Sequence, residues 1–263
     1  MNHFGNNIST PYLLCILLII GAFAHAQDKL PKPEETEVWE PEPQLVVFDE
    51  NNFPSDAVVL FDGSDLSKWQ SAVGDGSPAL WKINNDKSMT VSPGAGGIET
   101  IEEHGSIQLH LEWKAPEIIK GNGQGRGNSG VFFQRRYEVQ ILDSYENRTY
   151  SNGQAASVYK QYIPLVNATK PPDQWQVYDI IFIEPRYDDQ GNLEAHGRIT
   201  VFHNGILVQN NVKLLGTTEY IGKPKTGRDQ MPGHDGEKRL DRKLQLQDHG
   251  DLVSFRNIWM RKL

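Results

Sequence analysis

Cysteine is nearly absent from this chain of 263 residues: the one thiol, Cys15, lies in an apolar run close to the N-terminus. A chain cleaved beyond that run has neither disulfides nor a thiolate metal site, so its stability must come from a packed core. Beyond this leader no apolar stretch is long enough to span a bilayer. No part of the body holds a 3.6-residue apolar period, which excludes a helical bundle. Internal repeats and low-complexity tracts are missing as well. The formal charge is −8, and most of it sits in Gln27 to Ser55, where eight acidic residues face two lysines among several prolines. The remaining body is nearly neutral and offers no basic face to neutralise phosphates, which argues against nucleic acid as a partner.

The leader itself is informative. A polar stretch, Met1 to Pro11, precedes the apolar Tyr12 to Phe23 and then Ala24-His25-Ala26. Small residues at the two positions a signal peptidase inspects predict a signal peptide over 1–26, a periplasmic or secreted destination, and no stable membrane insertion after cleavage. The acidic, proline-containing 27–55 reads as a linker or N-terminal arm, with Leu45 to Phe48 able to dock as an edge strand. Residues 56–263 are long enough for one well-buried domain.

That domain has a period of two. Ile107, Leu109, Leu111 and Trp113 alternate with polar residues, and the same alternation recurs around Val139 and Ile141, in Trp175, Val177, Ile181 and Ile183, around Ile199 and Val201, and in Val253, Phe255 and Trp259. Turn residues separate these runs. Asn204-Gly205 is the clearest, a type I′ hairpin signal between two apolar triplets. Many short strands between turns predict an all-β sandwich of the jelly-roll kind. Polar side chains at alternate positions of its inner strands would line a cleft.

Three segments carry groups suited to chemistry. Gly121 to Gly130 contains Arg126 and Asn128, a planar fork and an amide fit to bind hydroxyls or a carbonyl. It lacks the Lys-Ser/Thr pair and the following helix of a phosphate loop. Arg136 to Tyr145 places Glu138 and Gln140 on one face, and Asp143 joins them only if the strand bulges or ends after Leu142. In Gln245 to Asn257, inward Leu244 and Leu246 send Gln245, Gln247 and His249 the other way, beside Asp248. An imidazole is the side chain whose ordinary protonation change falls near neutrality. The polar Gly222 to Arg242 reads as a lid. Neither His110 with Glu112 nor His234 with Asp235 forms a recognisable metal pattern, although a structural Ca²⁺ is compatible with such a sandwich.

Taken in order, Leu60-Phe61-Asp62-Gly63 with Leu66 and Trp69, Gly125 to Phe132, Tyr137 to Ser144, Leu246 to Gly250, and Arg256 to Trp259 resemble the 3-keto-disaccharide hydrolase family over Asp56 to Leu263. The resemblance implies a concanavalin A-like jelly roll, exported by bacteria, acting on glycosides already oxidised to a ketone at C3, by hydrolysis or by elimination across C1 and C2. It further implies His249 as base, Glu138 or Asp143 as acid, and Arg126, Asn128, Gln140, Gln247, Asp248 and Arg256 around a carbohydrate substrate. An ordinary glycosidase acting on β-glucan-like chains, with Glu138 and Asp143 as its carboxylate pair, and a non-catalytic sugar-binding module stand as alternatives.

Overall fold

A computed structural model describes residues 30–228 and 241–263. The expected signal peptide, and residues 229–240 of the expected lid, lie outside the described residues. The chain divides into a unit ending at Leu45 and a second running from Val46 to Leu263. Among its described residues the first holds a single short 3₁₀ turn, Pro33–Glu35. The expected edge strand at Leu45 to Phe48 reduces to a bridge between Phe48 and Pro54 that closes a turn within the second unit. No described helix is long and apolar enough to cross a membrane.

The second unit is a β-sandwich. Its larger sheet runs in the order β13 (Ile206–Lys213), β12 (Arg198–His203), β9 (Gln176–Ile183), β6 (Ile107–Lys114), β15 (Ser254–Lys262), β4 (Met89–Thr90) and β3 (Lys82–Ile83), with β1 (Val58–Phe61) also paired to β15. The smaller sheet runs β2 (Trp69–Ser71), β5 (Ile98–Glu103), β14 (Lys243–Leu246), β7 (Ser129–Phe133) and β8 (Tyr137–Ile141). A separate ribbon pairs β10 (Arg186–Tyr187) with β11 (Leu193–Ala195). All the pairings are antiparallel, as hairpins and Greek-key connections allow.

Strand β6 follows the sequence pattern: Ile107, Leu109, Leu111 and Trp113 are all buried, and the intervening side chains are half-exposed. The β12–β13 hairpin turns at Asn204 and Gly205, both with positive φ, as a type I′ turn requires. Strand β9 takes the opposite phase to the one expected. Tyr178, Ile180 and Phe182 enter the core, while Ile181 and Ile183 face outward. Both faces of this strand are apolar, so alternation alone cannot choose between them. Register decides, because Tyr178, Ile180 and Phe182 sit opposite Leu111, Leu109 and Ile107. In β15 the register to β6 shifts between Arg256 and Trp259, with Asn257 at φ 49°. The bulge sends Phe255, Ile258 and Met260 inward and leaves Trp259 on the far face, stacked on His110.

One face of the smaller sheet joins the core through Ile98, Leu244, Leu246, Val131, Val139 and Ile141. The opposite face carries a row set by register: Gln70, Glu99, Gln245, Phe132 and Glu138 are successive cross-strand neighbours. The link between β7 and β8 turns through Gln134 (φ 51°) and Arg135 (φ 60°), two left-handed residues without a glycine. Such a conformation persists only where surrounding contacts over-determine it. Arg135 supplies them: its guanidinium lies 2.7 Å from the Glu99 carboxylate and donates to the Ala72 carbonyl at 3.2 Å. Gln134 donates its backbone N–H to His104 Nε2 at 3.3 Å, and burial holds His104 neutral by lowering its pKa to about 4.

Arg135→Met takes from the buried Glu99 its nearest cation, leaving Lys243 Nζ at 3.6 Å and the Gln70 amide at 2.9 Å, and should destabilise the fold by about 1.5–3 kcal/mol, whereas Arg135→Met with Glu99→Leu should recover part of that loss. Urea denaturation midpoints of the two variants test this. A loss below about 1 kcal/mol in the single variant would show that the pair does not anchor the turn.

Candidate active site

Strand β8 is the edge of the smaller sheet, and two loops satisfy its free side. Gln140 N–H donates to Ser157 O, Ala156 N–H donates to Gln140 O, and Tyr159 N–H donates to Glu138 O, at 2.9–3.1 Å. Thr218 N–H donates to Arg136 O at 2.7 Å, and Thr218 Oγ1 accepts the Glu138 N–H at 2.9 Å. These bonds bring Tyr159, Thr218 and Tyr220 over the polar face of β8. On the other side, Ser129 Oγ donates to Gln247 O at 2.7 Å and Gln247 N–H donates to Gly130 O at 3.0 Å. The chain after β14 is thereby steered so that Gln247 and His249 come to the same place.

The result is a cavity of about 160 Å³ lined by Asn128, Glu138, Gln140, Tyr159, Thr218, Tyr220, Gln247 and His249. Glu138 is only 4% exposed. Burial penalises its charged form and lifts its pKa from the usual 4.5 to about 8, so near neutrality it is an undissociated acid. Gly130 makes room for it: a Cβ there would stand 2.7 Å from Glu138 Oε1. The side-chain amide of Gln140 lies between two acceptors, 3.0 Å from Gln124 Oε1 and 3.0 Å from Glu138 Oε1. It can turn its NH₂ to either one. His249 stands at the exposed rim.

Five of the nine residues expected at the site meet here: Glu138, Asn128, Gln140, Gln247 and His249. The other four are engaged elsewhere. Arg126 and Asp143 form a partly buried pair at 2.7 Å, and Arg126 also donates to Tyr145 O at 3.0 Å. Both line a neighbouring cavity of about 270 Å³ along with Ile118, Ile119 and Leu252. Asp143 therefore does not stand beside Glu138, because β8 ends at Ile141 and the chain turns away. Asp248 spends its carboxylate on backbone N–H groups, at 2.9 Å from Gly94, 3.1 Å from Gly96 and 2.9 Å from Gly250, fixing the loop that presents His249. Arg256 belongs to the larger sheet, paired with Glu112 at 2.7 Å and lying over the Trp175 ring at 4.1 Å.

The glycine-rich loop before β7 is a compact turn. Gly123 N–H donates to Asn147 Oδ1 at 2.8 Å, and Asn128 Nδ2 donates to Gln124 O at 2.6 Å. Gly127 has φ 59°, and a Cβ there would stand 3.1 Å from Asp143 Cβ and 3.2 Å from Ala115 Cβ. Among the described residues no group of three or more His, Cys, Asp or Glu gathers to hold a metal ion. His110 and Glu112 instead join a surface network with Asp179 and Asn257, while His234 and Asp235 lie outside the described residues. Thr218 and Tyr220 had no sequence signal, since neither lies in an alternating strand or near a recognisable turn pair.

Three comparisons place this geometry among known proteins. A crystallised protein from Parabacteroides distasonis, named as a candidate glycosyl hydrolase, shares 43% identity with a TM-score of 0.78, over 88% of this chain and 97% of its own. A second candidate glycosyl hydrolase from that organism shares 20% identity with a TM-score of 0.54, over 79% of this chain and 94% of its own, and supports the jelly-roll fold. A curated relative, the 3-keto-disaccharide hydrolase of Bacteroides thetaiotaomicron, is 23% identical over 259 residues, 82% of each chain. Residues 56–261 match the family model of the 3-keto-alpha-glucoside-1,2-lyase-like domain, and the chain belongs to that family.

Proposed function

We propose that this protein cleaves the glycosidic bond of 3-keto-glycosides, with Glu138 as the acid and His249 as the base. The observation that carries this reading is the meeting, in one cavity, of a carboxyl kept protonated by burial and an imidazole at the rim. A retaining or inverting glycosidase sets two carboxyl groups across the scissile bond. Among the described residues lining this cavity, Glu138 is the one carboxyl. A strongly perturbed acid is also more than a sugar-binding module needs.

A ketone at C3 acidifies the proton on C2. His249 takes that proton, the electron pair moves to form the C1–C2 double bond, the C1–O bond breaks, and Glu138 gives its proton to the departing oxygen. His249 ends protonated and Glu138 ionised, and solvent resets both. Addition of water across the enone, with hydroxyl at C1, gives net hydrolysis; release of the enone gives a lyase. Negative charge on the C3 oxygen needs donors, and the Asn128 and Gln247 amides and the Thr218 hydroxyl stand on the cavity wall. Arg126, expected in that role, is paired with Asp143. The name of the Bacteroides relative and the family description support the same substrate class. The leader read at 1–26 supports a place in the periplasm or outside the cell.

Purified protein should release the leaving sugar from a 3-keto-disaccharide and not from its unoxidised parent; release from the parent alone would instead mark an ordinary glycosidase. With Glu138 as the proton donor, turnover should fall as pH rises through about 8. Glu138→Gln should cost about 10²- to 10⁴-fold in kcat. Stability moves in a definite direction. An acid whose folded pKa is raised keeps a proton that the unfolded chain gives up, so the fold loses stability between about 4.5 and 8. Glu138→Gln should remove that loss, seen as a flatter dependence of the unfolding midpoint on pH. His249→Ala should abolish deuterium uptake at C2 of a 3-keto-sugar in D₂O, and undiminished uptake would strip His249 of its role.

A further inference from the structure

The cavity is too small for a disaccharide. At about 160 Å³ it falls well below the roughly 300–1,000 Å³ of sites that enclose a drug-sized ligand, so one sugar ring fills it and the second must lie outside. What stands outside is aromatic. Tyr220 lines the mouth and is 70% exposed, a large ring surface left in water just beyond a segment held by hydrogen bonds. Thr218 N–H donates to Arg136 O, Leu215 N–H donates to Gln161 Oε1 at 2.8 Å, and Gln161 Nε2 donates to Gly216 O at 3.0 Å. The loop bearing Tyr220 is thus tied to the loop bearing Tyr159.

A second tie runs through Lys160. Its ammonium lies 4.6 Å from the Tyr150 ring centre, 5.0 Å from that of Tyr220 and 5.9 Å from that of Tyr159. A cation among three ring faces attracts all of them and fixes their mutual placement. Lys160 reaches this position from a left-handed backbone at φ 61°, with its N–H donating to Asn152 O at 2.8 Å. Tyr150 and Tyr159 share a hydrogen bond through their hydroxyls. Gly153 lets Tyr150 pack this closely, because a Cβ at 153 would stand 2.1 Å from the Tyr150 ring.

Resting on the reading of the cavity as the seat of 3-keto-glycoside cleavage, we infer that Tyr220 and Lys160, backed by the buried Tyr159, form a leaving-group subsite that takes the second pyranose of a disaccharide. The C–H face of a pyranose is apolar and weakly positive, and it matches the negative face of a tyrosine ring. The donors of the ammonium not turned to the rings reach the sugar hydroxyls. Tyr220 stands where the second ring would leave the cavity, and stacking on it would cover its exposed face.

The test compares a 3-keto-disaccharide with the methyl 3-keto-glycoside of the same sugar, which has no second ring. Tyr220→Ala should raise KM for the disaccharide about three- to tenfold more than it raises KM for the methyl glycoside. Lys160→Met, which keeps the stem and removes the charge, should act in the same selective direction, with unfolding midpoints confirming that both variants fold. Equal changes on the two substrates would overturn the subsite while leaving the reaction intact. If the wild type cleaves neither substrate, the reaction fails instead. The subsite is then judged by calorimetric titration with the unoxidised disaccharide and monosaccharide: a disaccharide preference that Tyr220→Ala abolishes supports it, and equal binding overturns it.

Discussion

The buried contact between Arg135 and Glu99 is the constraint on which the site depends. It joins β5 to the turn between β7 and β8, and that turn has two left-handed residues and no glycine to relax it. A free turn of this sequence would settle elsewhere. Held in place, it sets the register of β8, and register alone decides whether Glu138 faces the core or the cavity. A charge pair buried in this way adds little net stability, since desolvation offsets attraction. Its contribution is to fix one geometry out of several.

From that point the sheet does the positioning. The row Gln70, Glu99, Gln245, Phe132 and Glu138 crosses all five strands on the face away from the core. Loops supply the rest, because β8 is an edge whose unpaired groups must be met, and the segments that meet them carry Tyr159 and Thr218. The need to cover an exposed strand edge and the need to wall a cavity are thus served by the same hydrogen bonds.

How much of this was readable beforehand follows the physics of each element. Where one face of a strand is apolar and the other polar, as in β6 and β14, alternation gives both strand and facing; Gln247 and His249 lie past the end of β14 and reach the cavity through hydrogen bonds to β7. Where both faces are apolar, as in β9, the pattern named the strand and missed the phase. The bulge at Asn257 in β15 is a backbone event with no period to announce it. Among site residues, Arg126, Asp248 and Arg256, expected around the substrate, and Asp143, expected as a possible acid, have the right chemistry, but each has a partner inside the protein. A polar side chain looks the same in sequence whether its partner is a ligand or a neighbouring strand. Thr218 and Tyr220 join the site through contacts some 80 residues apart in sequence, which local pattern does not record.

The hydrogen atom that serves as the side chain of residue 130 bears on which substitutions the family position tolerates. Glu138 folds back over Gly130, and its carboxyl occupies volume that any larger residue would claim. Alanine there would crowd the buried Phe132 ring, 2.8 Å from its Cβ, as well as the carboxyl, and the carboxyl can yield by moving toward water, where ionisation is cheap. The acid would become an ordinary carboxylate. The proton that Glu138 holds at neutral pH therefore depends on a vacancy on β7, and a change of one methyl group on that neighbouring strand would alter the chemistry without altering any residue that touches the sugar.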